Sequence, residues 1–350
     1  MAGRQHHIIP QFMQRALRIS SESNQVFCYQ KNQSPHVSNI NRALCQRDFY
    51  GQEKAQLEFA HPYPDILVTR AEGSQALFWQ QILRHPTGYA LTSEETITMS
   101  DFLIKLQARA RPMRQLHQDF YREISTVFNS YFPEDADWAE WLICALSLSR
   151  KHARAVRHDS QRIANSLRHH LADMAASLPQ LHHCEALLGV FQPESPAWAP
   201  SRALFDRMQI VPFPGTPGVI LGDSGMAYYN QDKTWTPWPT AETLTGVVPL
   251  SPLRYLITGQ PHTLEPHDIL AGLAQVCTQS FVSNSNAHGA FQPLIGAYRT
   301  QAYLATIRTA AQEAVAAVRQ APPLQNMAES AAKLDRNTPH WALVRQRILQ

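Results

Sequence analysis

The chain has 350 residues, 44% hydrophobic and 17% charged. That balance excludes intrinsic disorder and is enough to fill one large or two modest cores. Its 31 basic residues against 28 acidic ones leave a net charge of +3, which excludes a surface built throughout to hold nucleic acid and confines that argument to local clusters. The cysteines, Cys28, Cys45, Cys144, Cys184 and Cys277, are scattered and odd in number. No pair has the two-residue gap of a zinc site, so free thiols in a reducing compartment are expected. Met1 to Pro10 lacks a signal-peptide core, and no run approaches the roughly 20 apolar residues of a membrane span. The expectation is a cytoplasmic protein with no membrane partner.

In chain order, Pro10 to Ile19 spaces Phe12, Ala16 and Ile19 as a short amphipathic helix. Gln25 to Gln30 alternates Val26 and Cys28 with Phe27 and Tyr29, a strand pattern. Leu57 to Phe59 and Ala76 to Leu83 read as helical, separated by His61-Pro62-Tyr63-Pro64. Thr92 or Ser93 can cap a helix whose first turn carries Glu94 and Glu95, where the helix dipole favours acids. Met99, Phe102, Leu106, Ala110, Met113 and Phe120 keep its period, and Pro112 inside the pattern predicts a kink. Further helices are expected from Ala136 through Leu148 and from Ile163 through Leu178.

After Pro193 glycine and proline punctuate short β-like runs at Met208 to Pro212, Gly218 to Leu221, Met226 to Asn230 and Leu253 to Thr258. Two helical stretches close the chain, Tyr298 to Arg319 and Ala328 to Leu349. The fold class that follows is α+β: a helical middle and C-terminal helices packed on a small, mostly antiparallel sheet built from the Gln25 and 208–258 regions. One domain over 1–350 is expected, with a helical part at 93–190 and a β-rich part at 205–300.

The order of several short motifs resembles a bacterial family known as domain of unknown function 4238. His6-His7-Ile8-Ile9-Pro10-Gln11-Phe12 is similar to its His-His/Tyr-hydrophobic-Pro-x-Phe opening, and Asp48-Phe49-Tyr50 to its Asp-Phe-Tyr element. Glu72 resembles an acidic position before its next helix. Arg111-Pro112 with Arg114 is similar to its Arg-Thr-Pro-x-x-Arg segment, with Arg111 where threonine is expected. Ile220-Leu221-Gly222-Asp223-Ser224 and Pro249-Leu250-Ser251-Pro252 match later elements, and Asn284 or Asn286 stands for a late asparagine. The resemblance implies these positions and no particular activity.

Each candidate residue has two readings. His6 and His7 are similar to the first element of HNH-type nucleases, where a histidine acts as general base beside a metal. Asn24 and His36 are the only nearby residues for the rest of that site. The alternative is that the histidines pin the N-terminus by hydrogen bonds. Gly222-Asp223-Ser224-Gly225 has the letters of a serine-protease motif, but Met226 follows it and no base is identified, so a turn is the better reading. Arg109, Arg111, Arg114, Arg122 and Lys105 make a basic face that either clamps a phosphate or pairs with Glu94, Asp101 or Glu123. Arg150, Lys151, His152, Arg154, Arg157, His158, Arg162, Arg168, His169 and His170 form a second basic stripe, read as a solvated face or a nucleic-acid contact. Trp235 and Trp238 either line a pocket or cover a sheet edge.

Two functions follow. In the first, a hydrolase or transferase acts on nucleic acid or nucleotide, a chemistry that would suit bacterial defence. There His6 or His7 is the base, Asp223 a divalent-metal ligand or orienting acid, Arg111 and Arg114 the phosphate clamp, and Asn284 or Asn286 a further substrate contact. In the second, a non-catalytic binding or assembly protein uses His6, Arg111 and Asp223 as a structural polar network. Exposure discriminates: a site faces a cleft, whereas a scaffold satisfies its groups internally. Oligomeric state has no signature in the sequence.

Overall fold

In the computed structural model the described residues are 5–47, 49, 64–145, 148–190, 204–214, 218–260 and 264–320. The alternating Gln25–Gln30 run is β2, and Val26, Cys28 and Tyr29 are all buried, so both of its faces are covered. β2 lies between β3 (His36–Asn39) and β11 (Ser280–Ser283), and β11 pairs in turn with β6 (Leu221–Gly222). A second sheet orders β5 (Met208–Pro212), β10 (Arg254–Gly259), β9 (Thr243–Ser251), β7 (Ala227–Asn230) and β8 (Trp235–Thr236). A third consists of β1 (Gln5–His7) against β4 (Cys45–Arg47). Every pairing is antiparallel. The fold is therefore α+β, but the one sheet expected from the Gln25 and 208–258 regions is two. Only Leu221–Gly222 of the later region enters the sheet of β2, through β11, and β9, with Gly246 and Pro249 in it, gathers β7 and β10 on its two sides.

The helices are α1 (Gln11–Arg15), α2 (Pro64–Ile82), α3 (Ser93–Arg109), α4 (Arg111–Tyr131), α5 (Asp135–Ala145), α6 (Arg150–His158), α7 (Ser160–Val190), α8 (Pro266–Gln275) and α9 (Gln301–Gln320). Thr92 caps α3 in a capping box with Glu95, so two of the orphan amides of its first turn are satisfied. The kink expected at Pro112 is a full break. Ala110 is extended (φ −69°, ψ 153°), α3 ends before it and α4 restarts with Pro112 in its first turn. Proline lacks the amide that a helix interior requires and tolerates a first turn. The helical readings at Leu57–Phe59 and Ala328–Leu349, and the break at 61–63, lie outside the described residues; Pro64 opens α2. No helix among the described residues is long and apolar enough to cross a membrane.

By compactness the chain forms two units, one of residues 1–117 and 179–303, the other of 118–178 and 304–350. The expected helical part 93–190 is divided between them. The first unit holds all three sheets, with α3 burying Met99, Phe102, Leu103 and Leu106 in its core and α8 packed beside β6, β7 and β8. Trp235 is buried in this unit as part of the edge strand β8. In the second, Val127, Phe128, Phe132, Trp138, Ala164, Ala311 and Val315 make a separate aromatic core.

Candidate functional site

β1 and β4 hold the N-terminal histidines in register, His6 opposite Gln46 and His7 opposite Cys45. The His7 ring lies 2.7 Å from the side-chain amide of Gln11, the first residue of α1. Its carbonyl accepts from the Arg109 guanidinium, and Arg109 Nη1 is 2.8 Å from Glu72 Oε1 on α2. Arg109 is only 4% exposed, so this residue of the expected basic face points inward. Burial first, with Arg109 adding to it and Glu72 opposing, lowers the His7 pKa below 6.5 and keeps the ring neutral at pH 7.

The break at Ala110 aims Arg111 at two other elements. Its Nη2 donates to the Cys45 carbonyl at 3.4 Å and its Nε lies 3.7 Å from Asp223 Oδ2. Its backbone amide donates to the Asp223 carbonyl at 3.2 Å. The guanidinium–carboxylate contact is an ion pair too long for a hydrogen bond. Asp223 is 0% exposed. Its Oδ1 accepts from the amide of Thr278 at 2.8 Å, and its Oδ2 from those of Gln279 at 2.8 Å and Ser280 at 3.1 Å. The carboxylate thus ties the approach to β11 onto the turn after β6. Burial pushes its pKa up, while Arg111 and the three amides hold it down.

Glycine makes that turn fit. A Cβ on Gly222 would stand 2.2 Å from Cys277 Sγ, and Gly225, at φ +76°, would bring one to 2.8 Å from Leu106. Ser224 is 1% exposed, which removes its hydroxyl from any substrate and settles the Gly-Asp-Ser-Gly run as a turn.

Arg114 also points inward. It donates to the Phe49 carbonyl at 3.2 Å and to Gln180 at 3.4 Å, and its guanidinium stands 5.0 Å from the Phe49 ring centre. Behind it, His183 Nε2 is 2.9 Å from the Ala108 carbonyl and its ring meets Phe49 edge-on. Burial pushes His183 down to about 3 and its neighbour His117 down to about 4. Both rings are therefore neutral across the physiological range.

The expected set is thus only partly assembled. His7 and Glu72 meet on Arg109, and Arg111 joins Asp223 to the Cys45 carbonyl, Cys45 being the strand partner of His7, while Arg114 holds the backbone of Phe49 by a separate bond. Asp48 and Tyr50 lie outside the described residues. Asn284 and Asn286 follow the far end of β11 from the Asp223 amides, roughly 13 Å along a strand rising about 3.3 Å per residue. Asn284 there accepts from Ser283 at 3.4 Å and Asn286 is exposed. Elsewhere on the expected basic face Lys105 pairs with Asp101 at 2.6 Å and Arg122 with Asp119 at 3.5 Å. Asn24 bonds to Asn39 and His36 to Ser34, so the two residues considered for an HNH site hold neighbouring turns instead.

From the sequence Arg109 belongs to a basic face for a phosphate or for salt bridges to Glu94, Asp101 or Glu123, with no sign of its contact to His7, and His183 carries no reading. The signals for them were the apolar neighbours at 106, 108 and 110 and at 184 and 187, which bury those helix faces.

The cavity against Arg109, lined also by Val68, Phe102 and Leu106, measures 10 Å³, room for one water. A cleft of 510 Å³ lies at Arg207, Gln231, Thr240 and Gln260, and none of the converging residues lines it. Among the described residues no group of three or more His, Cys, Asp or Glu side chains is placed to hold a metal. Compared with protein-family models, with curated proteins and with solved structures, the chain matches none.

Proposed function

We propose that the chain is a non-catalytic binding or assembly protein, and that His7, Glu72, Arg109, Arg111, Arg114 and Asp223 are the polar network that fixes its architecture. One observation carries this reading: Asp223 has no exposure and both of its oxygens are taken by the amides of 278–280. A carboxylate that binds metal or orients a base turns its open acceptor sites to the ion or the base, whereas three of the roughly four on Asp223 are held by backbone amides. Contacts of this kind make one backbone arrangement the favoured one, although Arg111 Nε itself has no hydrogen-bond partner among the described residues. Kinship with the family 4238 is part of the same proposal, since residues that carry the resemblance are the ones the network joins. The free thiols of Cys28, Cys45, Cys184 and Cys277 suit a reducing, cytoplasmic setting.

One observation favours the hydrolase or transferase reading: His7 is half-buried and held neutral, as a general base must be. Purified full-length chain incubated with duplex DNA, single-stranded DNA, RNA and nucleotides, with and without Mg²⁺, Mn²⁺ or Zn²⁺, separates the two. The network reading expects no turnover with any of them. Turnover that disappears in His7→Ala, with the variant still folded, overturns it and puts a nucleic-acid or nucleotide hydrolase in its place.

A further inference from the structure

The second unit carries the largest charge cluster that the first unit's network leaves unexplained. α6 reads Arg-Lys-His-Ala-Arg-Ala-Val-Arg-His, with no acidic residue over its nine positions. At 100° per residue, Arg150, Lys151, Arg154, Arg157 and His158 fall within one arc of about 120°, and Ala153, the buried residue, lies outside it. Arg150, Lys151, Arg154 and His158 are exposed.

Two features set this face apart from an ordinary solvated one. Other basic side chains of α6 and α7 are neutralised: Arg157, within the arc, by Glu140 at 2.5 Å and 2.9 Å, Arg162 by Asp159 at 3.2 Å, Arg168 by Asp135 at 2.6 Å. Among the described residues no carboxylate pairs with Arg150, Lys151 or Arg154. Those charges also begin in the wrong place for helix stability. Arg150, Lys151 and His152 occupy the first turn, where the helix dipole disfavours cations, and no acid offsets them there. Ser149 at the N-cap makes no side-chain bond to the helix amides; its hydroxyl is 3.0 Å from His152 Nδ1 instead.

We propose that the exposed arc of α6 docks on the phosphate backbone of nucleic acid. The helix is about 14 Å long, and duplex DNA carries one phosphate charge per roughly 1.7 Å of axis, so several phosphates lie within reach of Arg150, Lys151 and Arg154. An anionic membrane surface is the weaker fit. An interfacial helix buries bulky apolar side chains among the headgroups, and α6 has only Ala153, Ala155 and Val156, with Ala153 already buried. With contacts to phosphate alone the binding is sequence-independent and falls steeply with salt.

This assignment names the partner of the binding protein proposed above and rests on that reading, and the two fail separately. Turnover lost with His7 ends the non-catalytic reading whatever α6 binds, whereas α6 fails by loss of binding alone. The test is fluorescence anisotropy of a labelled 30-base-pair duplex DNA with the full chain from 50 to 200 mM salt, beside phosphatidylserine vesicles. The triple variant Arg150→Gln/Lys151→Gln/Arg154→Gln should bind at least tenfold more weakly at 50 mM salt. Its log–log salt slope should be shallower by about 2.7, from 0.9 per phosphate contact. Arg150→Lys/Arg154→Lys, which keeps the charge, should stay within about threefold of the original, and Lys151→Gln alone should flatten the slope by about 0.9. The proposal is overturned if the intact chain does not bind DNA at 50 mM salt. It also fails if the folded triple variant binds like the original, or if the vesicles are preferred to the duplex.

Discussion

Two groups of arginines, a few dozen residues apart in the chain, do opposite things. Arg109, Arg111 and Arg114 turn into the first unit and end on carbonyls, a glutamate and a buried aspartate. Arg150 and Arg154 of α6 stand in solvent with no carboxylate partner among the described residues. In sequence the two look alike: basic residues at helical spacing. What separates them is the apolar residue beside each. Ala108 and Ala110 are buried next to the first group, so those side chains follow the backbone into the core. In α6 only Ala153 is buried. A cluster of like charge therefore reports a ligand only where the fold has not already spent it on its own carbonyls.

The sharpest way to break this contrast is Asp223→Ala. It leaves the amides of Thr278, Gln279 and Ser280, of which only the last belongs to a buried residue, without an acceptor and the part-buried Arg111 without its counter-charge, and should lower the unfolding free energy by about 3–5 kcal/mol in urea titration. A loss below about 1 kcal/mol would mean that the network does not hold the fold.

Acid sharpens it further. His183 and His117 are held neutral in the folded chain at about 3 and about 4, against an ordinary 6.5. Their folded values lie below the unfolded one, so their contribution is complete above pH 6.5 and is lost as pH falls toward 3. Stability should drop across that window, by up to about 1.4 kcal/mol per pH unit for each proton taken up on unfolding. His183→Gln should flatten the drop by one proton, measured as unfolding free energy against pH. Equal slopes in the two proteins would remove His183 from the account.

The smallest expected effect is on the exposed side. Arg154→Ala should leave stability within about 0.5 kcal/mol, since the side chain is exposed and has no carboxylate partner among the described residues. A larger loss in the same urea titration would place Arg154 among the structural arginines and erase the difference between the regions.

Much of the fold was legible because its signals are local. Val26 and Cys28 alternating with their neighbours fix β2, Met208 to Pro212 is β5 to the residue, and Thr92 followed by Glu95 marks the start of α3. β1, β4 and β8 have two or three residues each, too short for any period to show. β9 was hidden by Gly246 and Pro249, which read as punctuation but sit inside a strand between two partners. The meeting of His7, Arg111 and Asp223 had no sequence signal beyond motif order. The atoms that hold them are backbone atoms of Cys45, Thr278, Gln279 and Ser280, whose identity carries no trace of the role. Asn284 and Asn286 shared the motif order and are still elsewhere, because four strand residues separate the ends of β11.

The strand order β3-β2-β11-β6 also has a consequence in time. β2 is made about 250 residues before its neighbour β11. At a synthesis rate of about 5–20 residues per second, that edge of β2 waits on the order of ten seconds or more after it is made. Until then Gln25–Gln30 presents an unpaired, apolar ladder to whatever else is in the cell. The first unit can close only once β11 has been made, and Asp223, already in place by then, becomes the latch that receives Thr278, Gln279 and Ser280 as they emerge.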